Sequence, residues 1–375
     1  VKGVKNVKAV ILAGGQGIRL QPLTCTTPKP MLPLANVPFL VYPIMLLKKH
    51  GITDIILSTN HLPEVFESYF AKHSFGVNLT YVKEDEPLGT CGAVKNVEHL
   101  LDSTFIVFNG DILTDLNVSQ VIEYHKAKKA KATLTLTSVE DPTAYGLVPL
   151  DKTGRIKDFL EKPNWDEVTT DLINAGTYVL EPEVLKYVPE RENYSFERGL
   201  FPLLIEKNEP FFGFAPNAYW LDIGSPQKYL QAHYDLLEGK ISSEFRGKEI
   251  KPRVWVDEGS SISDKAAFFG PLIIGKNCSI SDHVKILGQT TIGNNCVIGE
   301  GAQLEGCVLF DGCHIGDSAV VKNSILGKQL KLGEKVHVEE VAVLGDNLVV
   351  KNENYLKRGI KIWPDTEIGE GEIKF

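Results

Sequence analysis

The sequence lacks any apolar run approaching the roughly 18 residues that a membrane-spanning helix needs. The best stretch, residues 39–47, is short and broken by Pro43, so a membrane span is not expected. Surplus positive charge is also missing. Forty Lys and Arg stand against 48 Asp and Glu, a formal charge of −8, whereas nonspecific duplex binding runs on counterions displaced by cationic side chains. Nucleic acid is therefore not an expected partner, and an anionic ligand must be held by a few local cations and backbone N–H groups. The six cysteines, at 25, 91, 278, 296, 307 and 313, form no CxxC and no Cys/His zinc spacing. They read as small neutral thiols rather than a disulfide framework. Around Lys2, Lys5 and Lys8 there is no long apolar segment of the secretory type, which makes the cytoplasm the expected location.

A length of 375 residues suits two domains. The first two thirds alternate strand-like runs (7–12, 54–58, 79–82, 105–108, 132–139, 176–180 and 219–223) with helix-like ones (38–50, 117–130 and 226–237). Several of the strand runs are continuously apolar, the pattern of strands buried on both faces. Alternation of this kind predicts an α/β domain with a mainly parallel sheet, and ligands of such sheets sit at the carboxyl ends of the strands.

The last third follows another period. An apolar residue recurs at every sixth position: Ile262, Phe268, Ile274, Ile280, Ile286, Ile292, Ile298, Leu304 and Phe310. A small or medium side chain stands two places before each. This is the hexapeptide pattern of a parallel β-helix, whose strands each form one side of a triangular coil. The frame slips by one at Ile315 and Val321, predicting an irregular corner near 311–313, and the count suggests three to four coils. Cys278 and Cys296, one coil apart, are expected to stack as inward small residues. His283 and His314 read as surface residues rather than acyltransfer bases. The expected division is 1–240, a linker at 241–260, coils at 261–340, and a tail at 341–375 capping them.

Directly after the first strand comes GGQGIRLQPLTCTTPKP, residues 14–30. Gly14, Gly15 and Gly17 allow backbone to approach a ligand, and successive N–H groups there can form an anion nest. Arg19 can fork across phosphate oxygens, and Lys29, held between Pro28 and Pro30, presents a point charge. The combination suits a polyphosphate, yet it matches neither GxGxxG nor GxxxxGK[ST].

This segment resembles the signature of the sugar-1-phosphate nucleotidylyltransferases, the NDP-sugar pyrophosphorylases. Further motifs stand in the family's order: EPLGTCGA at 86–93, NGD at 109–111, YG at 145–146, EKP at 161–163, NAG at 174–176 and WLDIGSPQKYL at 220–230. The resemblance implies a Rossmann-like α/β nucleotidyltransferase domain followed by a left-handed parallel β-helix. It implies transfer of a nucleotidyl group from an NTP to a sugar 1-phosphate, with Arg19, Lys29 and Asp111 catalytic and Mg²⁺ held by Asp111 and Asp222. Substrate contacts fall on Leu12, Ala13, Gly14, Gly15, Gly17, Glu84, Gly89, Thr90, Gly110, Gly146, Glu161, Lys162 and Asn174, with 89–90 as the loop that reads the base. Within the family the EPLGT segment and the solenoid tail look most like the mannose-1-phosphate guanylyltransferases. Glucose-1-phosphate thymidylyl-, uridylyl- or adenylyltransferases and a regulatory relative without catalysis are the alternatives. A homo-oligomer formed through the β-helix is expected. The segment departs from the family pattern at Ile18, where Thr is usual, Gln21, where a second Arg is common, and Cys91, where Ala is usual.

Overall fold

The computed structural model describes residues 7–242 and 247–374. Lys2, Lys5 and residues 243–246 of the expected linker lie outside them. The chain forms two compact units, Val1–Gly15 with Leu40–Trp220, and Gln16–Phe39 with Leu221–Phe375.

In the first unit Lys8–Leu12 lies between Asp54–Thr59 and Phe105–Asn109, parallel to both, and Asn78–Lys83 extends the sheet in the same sense. The apolar cores of the first three strands are buried, as strands covered on two faces must be. Beyond Phe105–Asn109 the direction reverses. Leu172–Leu180 pairs with it antiparallel, Ala132–Ser138 pairs antiparallel with Leu172–Leu180, and Phe211–Phe214 closes the edge parallel to Ala132–Ser138. The expected mainly parallel α/β sheet is therefore present with an antiparallel flank. Asn117 caps the helix Val118–Lys128 by accepting the Gln120 N–H, satisfying a donor that the first turn leaves open. Among the elements with too little signal to be read in advance are the edge strand FFGF and the helices Pro63–Lys72, Gly89–Asn96 and Phe201–Glu206.

The second unit is built on a parallel β-helix of three ladders. One ladder runs through Val254–Val256, Leu272–Ile274, Thr290–Ile292, Val308–Leu309, Ile325–Leu326, Val343–Leu344 and Lys361–Ile362. Seven rungs replace the three to four expected from the repeat count. Residues expected as a capping tail continue the coil, because the six-residue frame resumes at Val338, Leu344, Val350, Leu356, Ile362 and Ile368, all buried. Part of the expected linker is already coil, at Val254–Val256. The frame slip also lies one step earlier than expected. Leu309, not Phe310, pairs with Ile292 and fills the interior, so a five-residue step separates Leu304 from Leu309. Phe310 instead faces outward, its ring 6.5 Å from that of Tyr229 on the helix Pro226–Leu237.

That outward turn marks the ladder as different from the other two. Its outward residues Ile273, Thr291, Val308, Phe310, Ile325 and Val343 are no more than 3% exposed, whereas Ser279, Val297, His314 and Lys331 on the second ladder are exposed. Cys278, Cys296 and Cys313 point inward and donate to the carbonyls of Gly293, Phe310 and Gly327 at 3.1, 3.3 and 3.1 Å. Cys278 and Cys296 flank the paired residues Ser279 and Val297 one coil apart, and all six cysteines are free thiols. His283 is an exposed turn residue, and His314 is exposed on the strand His314–Ile315. Because coils are held only by their stacked neighbours, Leu304→Ala is expected to cost about 2–5 kcal/mol. Val297→Ala on the exposed ladder should stay within about 0.5 kcal/mol. Calorimetric unfolding of the two variants checks the difference.

Candidate functional site

In the first unit the strand Lys8–Leu12 delivers Leu12, Ala13, Gly14 and Gly15 at its carboxyl end. Ala13 N–H is spent on Ser58 O at 2.8 Å, and Gly110 N–H reaches Leu12 O at 2.9 Å, tying two neighbouring strand tips together. A side chain at Gly14 would stand 3.1 Å from Glu84 Oε1, whereas around Gly15 the space is open. Asp111 follows Gly110 directly and is half-buried.

Glu84 is buried, and its carboxylate is occupied. Oε1 accepts Ser58 Oγ–H at 2.9 Å and Oε2 accepts Leu88 N–H at 3.0 Å. The residue therefore shapes the 84–88 bend beside Gly14. Gly89 and Thr90, expected in a loop, open the helix Gly89–Asn96. Gly89 has φ +70°, and a side chain there would meet Tyr194 O at 2.8 Å. Thr90 Oγ1 donates to Glu197 Oε2 at 3.2 Å and accepts Phe196 N–H at 3.1 Å. Segment 192–197 thus backs the 89–90 stretch from a hundred residues away in sequence. Cys91 is fully buried, and burial pushes its thiol pKa well up, so it serves as an inert small residue.

The remaining motifs of this unit converge. Leu160–Glu161 pairs antiparallel with Gly146–Leu147, placing Glu161 Oε2 3.2 Å from where a Gly146 side chain would begin. Lys162 donates its N–H to Tyr145 O at 2.9 Å and holds φ at +53°, a conformation rare for a side-chain-bearing residue. Asn174 accepts Gly176 N–H at 3.0 Å and donates to Tyr178 OH at 2.9 Å, which fixes the bulge between Asn174 and Tyr178. Trp220 Nε1 donates to Ala175 O at 2.9 Å, and its ring meets Tyr145 edge-on at 5.6 Å. Burial first, then the Glu197 carboxylate, raise the pKa of Glu161 above the ordinary carboxylate value, against the opposing pull of Lys162 and Arg198.

In the second unit Gly17, at φ +63°, packs against Lys29, whose Cβ would lie 3.1 Å from a side chain at that position. Lys29 is buried to 9% exposure in the turn Lys29–Met31. Arg19 and Asp222 meet at Gly224. A side chain there would lie 2.6 Å from Arg19 Nη2 and 2.5 Å from Asp222 Oδ1, so glycine leaves room for guanidinium and carboxylate together. Asp222 is 7% exposed. Its Oδ1 accepts Gly224 N–H at 3.0 Å and its Oδ2 pairs with the Lys228 ammonium. Among the described residues no group of three or more His, Cys, Asp or Glu could hold a metal ion. A cation at one or two carboxylates must then take its other ligands from water and phosphate, which is how Mg²⁺ is commonly held. Lys228 already supplies a positive charge where such a cation would sit, and it would have to share Asp222.

With this geometry in place, comparison with known proteins becomes decisive. The nucleotidyl transferase family model matches residues 8–239. The chain belongs to the nucleotidyl transferase family. A second model, the GMPPB C-terminal domain, matches residues 268–373 of this nucleotidyl transferase. It is 38% identical to mannose-1-phosphate guanyltransferase of Candida albicans across 98% of its own length and 99% of the relative's. It is 36% identical to mannose-1-phosphate guanylyltransferase of Mycobacterium tuberculosis across 84% and 83%. Among solved structures, HddC from Yersinia pseudotuberculosis, determined also in complex with GMP-PN, is 32% identical over 60% of this chain and 97% of its own, with a TM-score of 0.53.

Two residues of the first unit, Glu197 outside every motif and Asn109 at the start of NGD, show their contacts only in three dimensions. Glu197 sits on a wide helical turn, Phe196–Leu200, and joins Thr90 to Tyr178, whose hydroxyl donates to Glu197 Oε1 at 3.3 Å. Among the described residues the buried Asn109 Oδ1 finds no hydrogen-bond partner, although its side chain stands over Gly176. It is an acceptor left for a hydroxyl or amine. Glu197→Gln removes a negative charge beside Glu161, which favours the ionised form, so the Glu161 pKa should fall towards the ordinary value. Carboxyl ¹³C NMR titration of both proteins should show that downward shift; a rise or no change contradicts the assignment.

Proposed function

We propose that this nucleotidyl transferase is a mannose-1-phosphate guanylyltransferase, taking GTP and mannose 1-phosphate to GDP-mannose and pyrophosphate. Full-length similarity to proteins of that name carries the reading. The side-by-side placement of Arg19 and Asp222 at Gly224 supports it.

In the reaction an ionised oxygen of mannose 1-phosphate attacks the α-phosphorus of GTP. The new O–P bond forms as the bond from the α-phosphorus to the bridging oxygen breaks, and pyrophosphate leaves with that electron pair. No proton needs to move. Catalysis is then positioning plus neutralisation of charge. Arg19 meets the charge that grows on the leaving pyrophosphate, and Lys29 holds the triphosphate. Backbone N–H groups of the 12–17 stretch approach the phosphates where glycine leaves room. The stretch at Gly89–Thr90, stiffened by Glu84 and segment 192–197, receives the base. Lys162 takes the sugar phosphate, and Glu161, the Asn174 region and Asn109 Oδ1 accept from sugar hydroxyls. A site that pairs each hydroxyl penalises an analogue lacking one. Asp111 and Asp222 are the carboxylates for Mg²⁺, which when bound neutralises and orients phosphate oxygens. We further propose that the chain self-associates through its β-helix, on which Phe269 and Trp363 are 62% and 52% exposed.

Release of pyrophosphate, measured for each NTP against each sugar 1-phosphate with Mg²⁺, should be confined to GTP and mannose 1-phosphate. Preference for dTTP, UTP or ATP with glucose 1-phosphate would replace the reading, and silence across the grid would end it. Asp111→Asn and Asp222→Asn should each lower kcat by at least about 100-fold with unchanged melting temperature. Near-normal turnover in both would remove the metal assignment.

A further inference from the structure

The segment 16–39 carries Arg19 and Lys29, and several of the polar contacts that locate it come from the β-helix, in one compact unit with it. Near its start, Lys361 Nζ donates to Arg19 O at 3.0 Å. In its middle, Lys328 Nζ donates to Thr27 Oγ1 at 2.8 Å, and Asp346 Oδ2 accepts Thr26 Oγ1–H at 2.6 Å. Towards its end, Asn36 Nδ2 donates to Ile292 O at 2.7 Å, and the Tyr229 hydroxyl donates to Pro33 O. The coil residues in this set belong to one ladder or to the turns that follow its strands.

Asp346 is the joint in this arrangement. It is 7% exposed, and its other oxygen, Oδ1, accepts Lys328 N–H at 2.7 Å. That second bond is a repeated coil device. Asn294 Oδ1 does the same for Lys276 N–H at 2.9 Å, and Asn352 Oδ1 for Glu334 N–H at 2.9 Å. Asparagine therefore serves the coil as well as aspartate does. What asparagine does not supply is a charged acceptor for a threonine hydroxyl, and a charge-assisted bond is roughly twice as strong as a neutral one. The charge reaches further, since after burial Asp346 is what raises the pKa of Cys25 beside Thr26.

We propose that Asp346 and Lys328, residues of the β-helix, are positioning residues for the phosphate-binding segment, holding Thr26 and Thr27 so that Arg19 and Lys29 stand in working position. The catalytic claim rests on the reading of Arg19 and Lys29 as triphosphate ligands; the claim that the coil fixes the segment does not. The β-helix is on this view part of the catalytic apparatus, and a partner or ligand that shifts one ladder rung would reach the chemistry through these two side chains.

The full-length protein tests it with Asp346→Asn, Lys328→Met and Thr26→Val, and with Asp317→Asn as control. Asp317 Oδ1 caps Glu300 N–H at 2.8 Å in the same coil manner, on a rung turn that none of the segment's contacts uses. Hydrogen exchange by mass spectrometry should show faster exchange in peptides covering 22–32 for the first three variants and none for the control, at unchanged melting temperature. In pyrophosphate release, kcat should fall by about tenfold in Asp346→Asn and in Lys328→Met while the KM for the sugar 1-phosphate holds. Thr26→Val with Asp346→Asn should be non-additive, since they share one bond. Unchanged exchange in all three variants overturns the proposal even if the enzyme proves inactive on every substrate pair. So does an equal loss in Asp317→Asn, which would show general weakening of the coil. Faster exchange with kcat within twofold of the parent overturns the catalytic part alone. Should Asp346→Asn fail to fold, Thr26→Val, at an exposed position on the segment, decides by the same measurements.

Discussion

A parallel β-helix fills its interior with one aliphatic side chain per strand and normally leaves the outward residues to water. In this protein one of three ladders is apolar on both sides, and what covers it includes the segment bearing Arg19 and Lys29 together with the helix Pro226–Leu237. Burying Ile273, Phe310, Ile325 and Val343 on the outside of a coil is favourable only while that cover is in place. The coil and the cationic segment therefore stabilise each other. Polar anchors add direction to what apolar burial leaves free: the hydroxyls of Thr26 and Thr27 can meet Asp346 and Lys328 in one register only. The neutral His233, its pKa pushed down to about 3 by burial, accepts Thr291 Oγ1–H at 3.1 Å and lies 3.5 Å from Ala35 N, holding the same segment further along.

The first unit works by the opposite means, through missing side chains. Gly14, Gly89, Gly110, Gly146 and Gly176 each sit where a Cβ would press on a backbone or side-chain atom from another stretch of the chain. Short motifs far apart in sequence can then lie against one another: NGD against the end of the first strand, EKP against YG, NAG beneath Asn109. The acidic chain as a whole repels polyanions, so attraction has to be local. A net charge of −8 has to be overcome by local cations at short range, inside a Debye length of about 10 Å.

The parallel strands were legible because long apolar runs have few alternatives, and the coils because no helix or strand produces a period of six. Legibility failed where the period broke. At Leu309 a coil shortens by one residue, and counting in sixes assigns Phe310 to the interior, although the side chain packs outward on Tyr229. The true signal was the apolar triplet Val308–Leu309–Phe310, which no half-exposed strand needs. Counting again from Val338 would have recovered the later coils. Among site residues, those set in motifs were placed by the motifs. Glu197 was not, since an acid in a helical turn says nothing until Thr90, Tyr178 and Glu161 surround it. The coupling of segment 16–39 to the β-helix was likewise invisible, because threonine, lysine and aspartate at positions 26, 328 and 346 are ordinary residues in separate stretches.

The choice of base and sugar is the part that physics reads least from sequence, and the proposed role of Gly89–Thr90 in receiving the base gives a physical reason. The stretch at Gly89–Thr90 is stiffened by Glu84 and by segment 192–197, and the functional groups it can turn to a base include backbone N–H and C=O, which every residue type supplies. Discrimination then depends on the position of peptide groups to a few tenths of an ångström, which is set by what lies behind them. Tyr194 O accepts the N–H groups of Cys91 and Gly92 at 2.9 and 3.0 Å, and Gly89 tolerates no side chain against it. On the proposed reading, a change of residue at 192–197 would thus move the groups that face the base without touching the base.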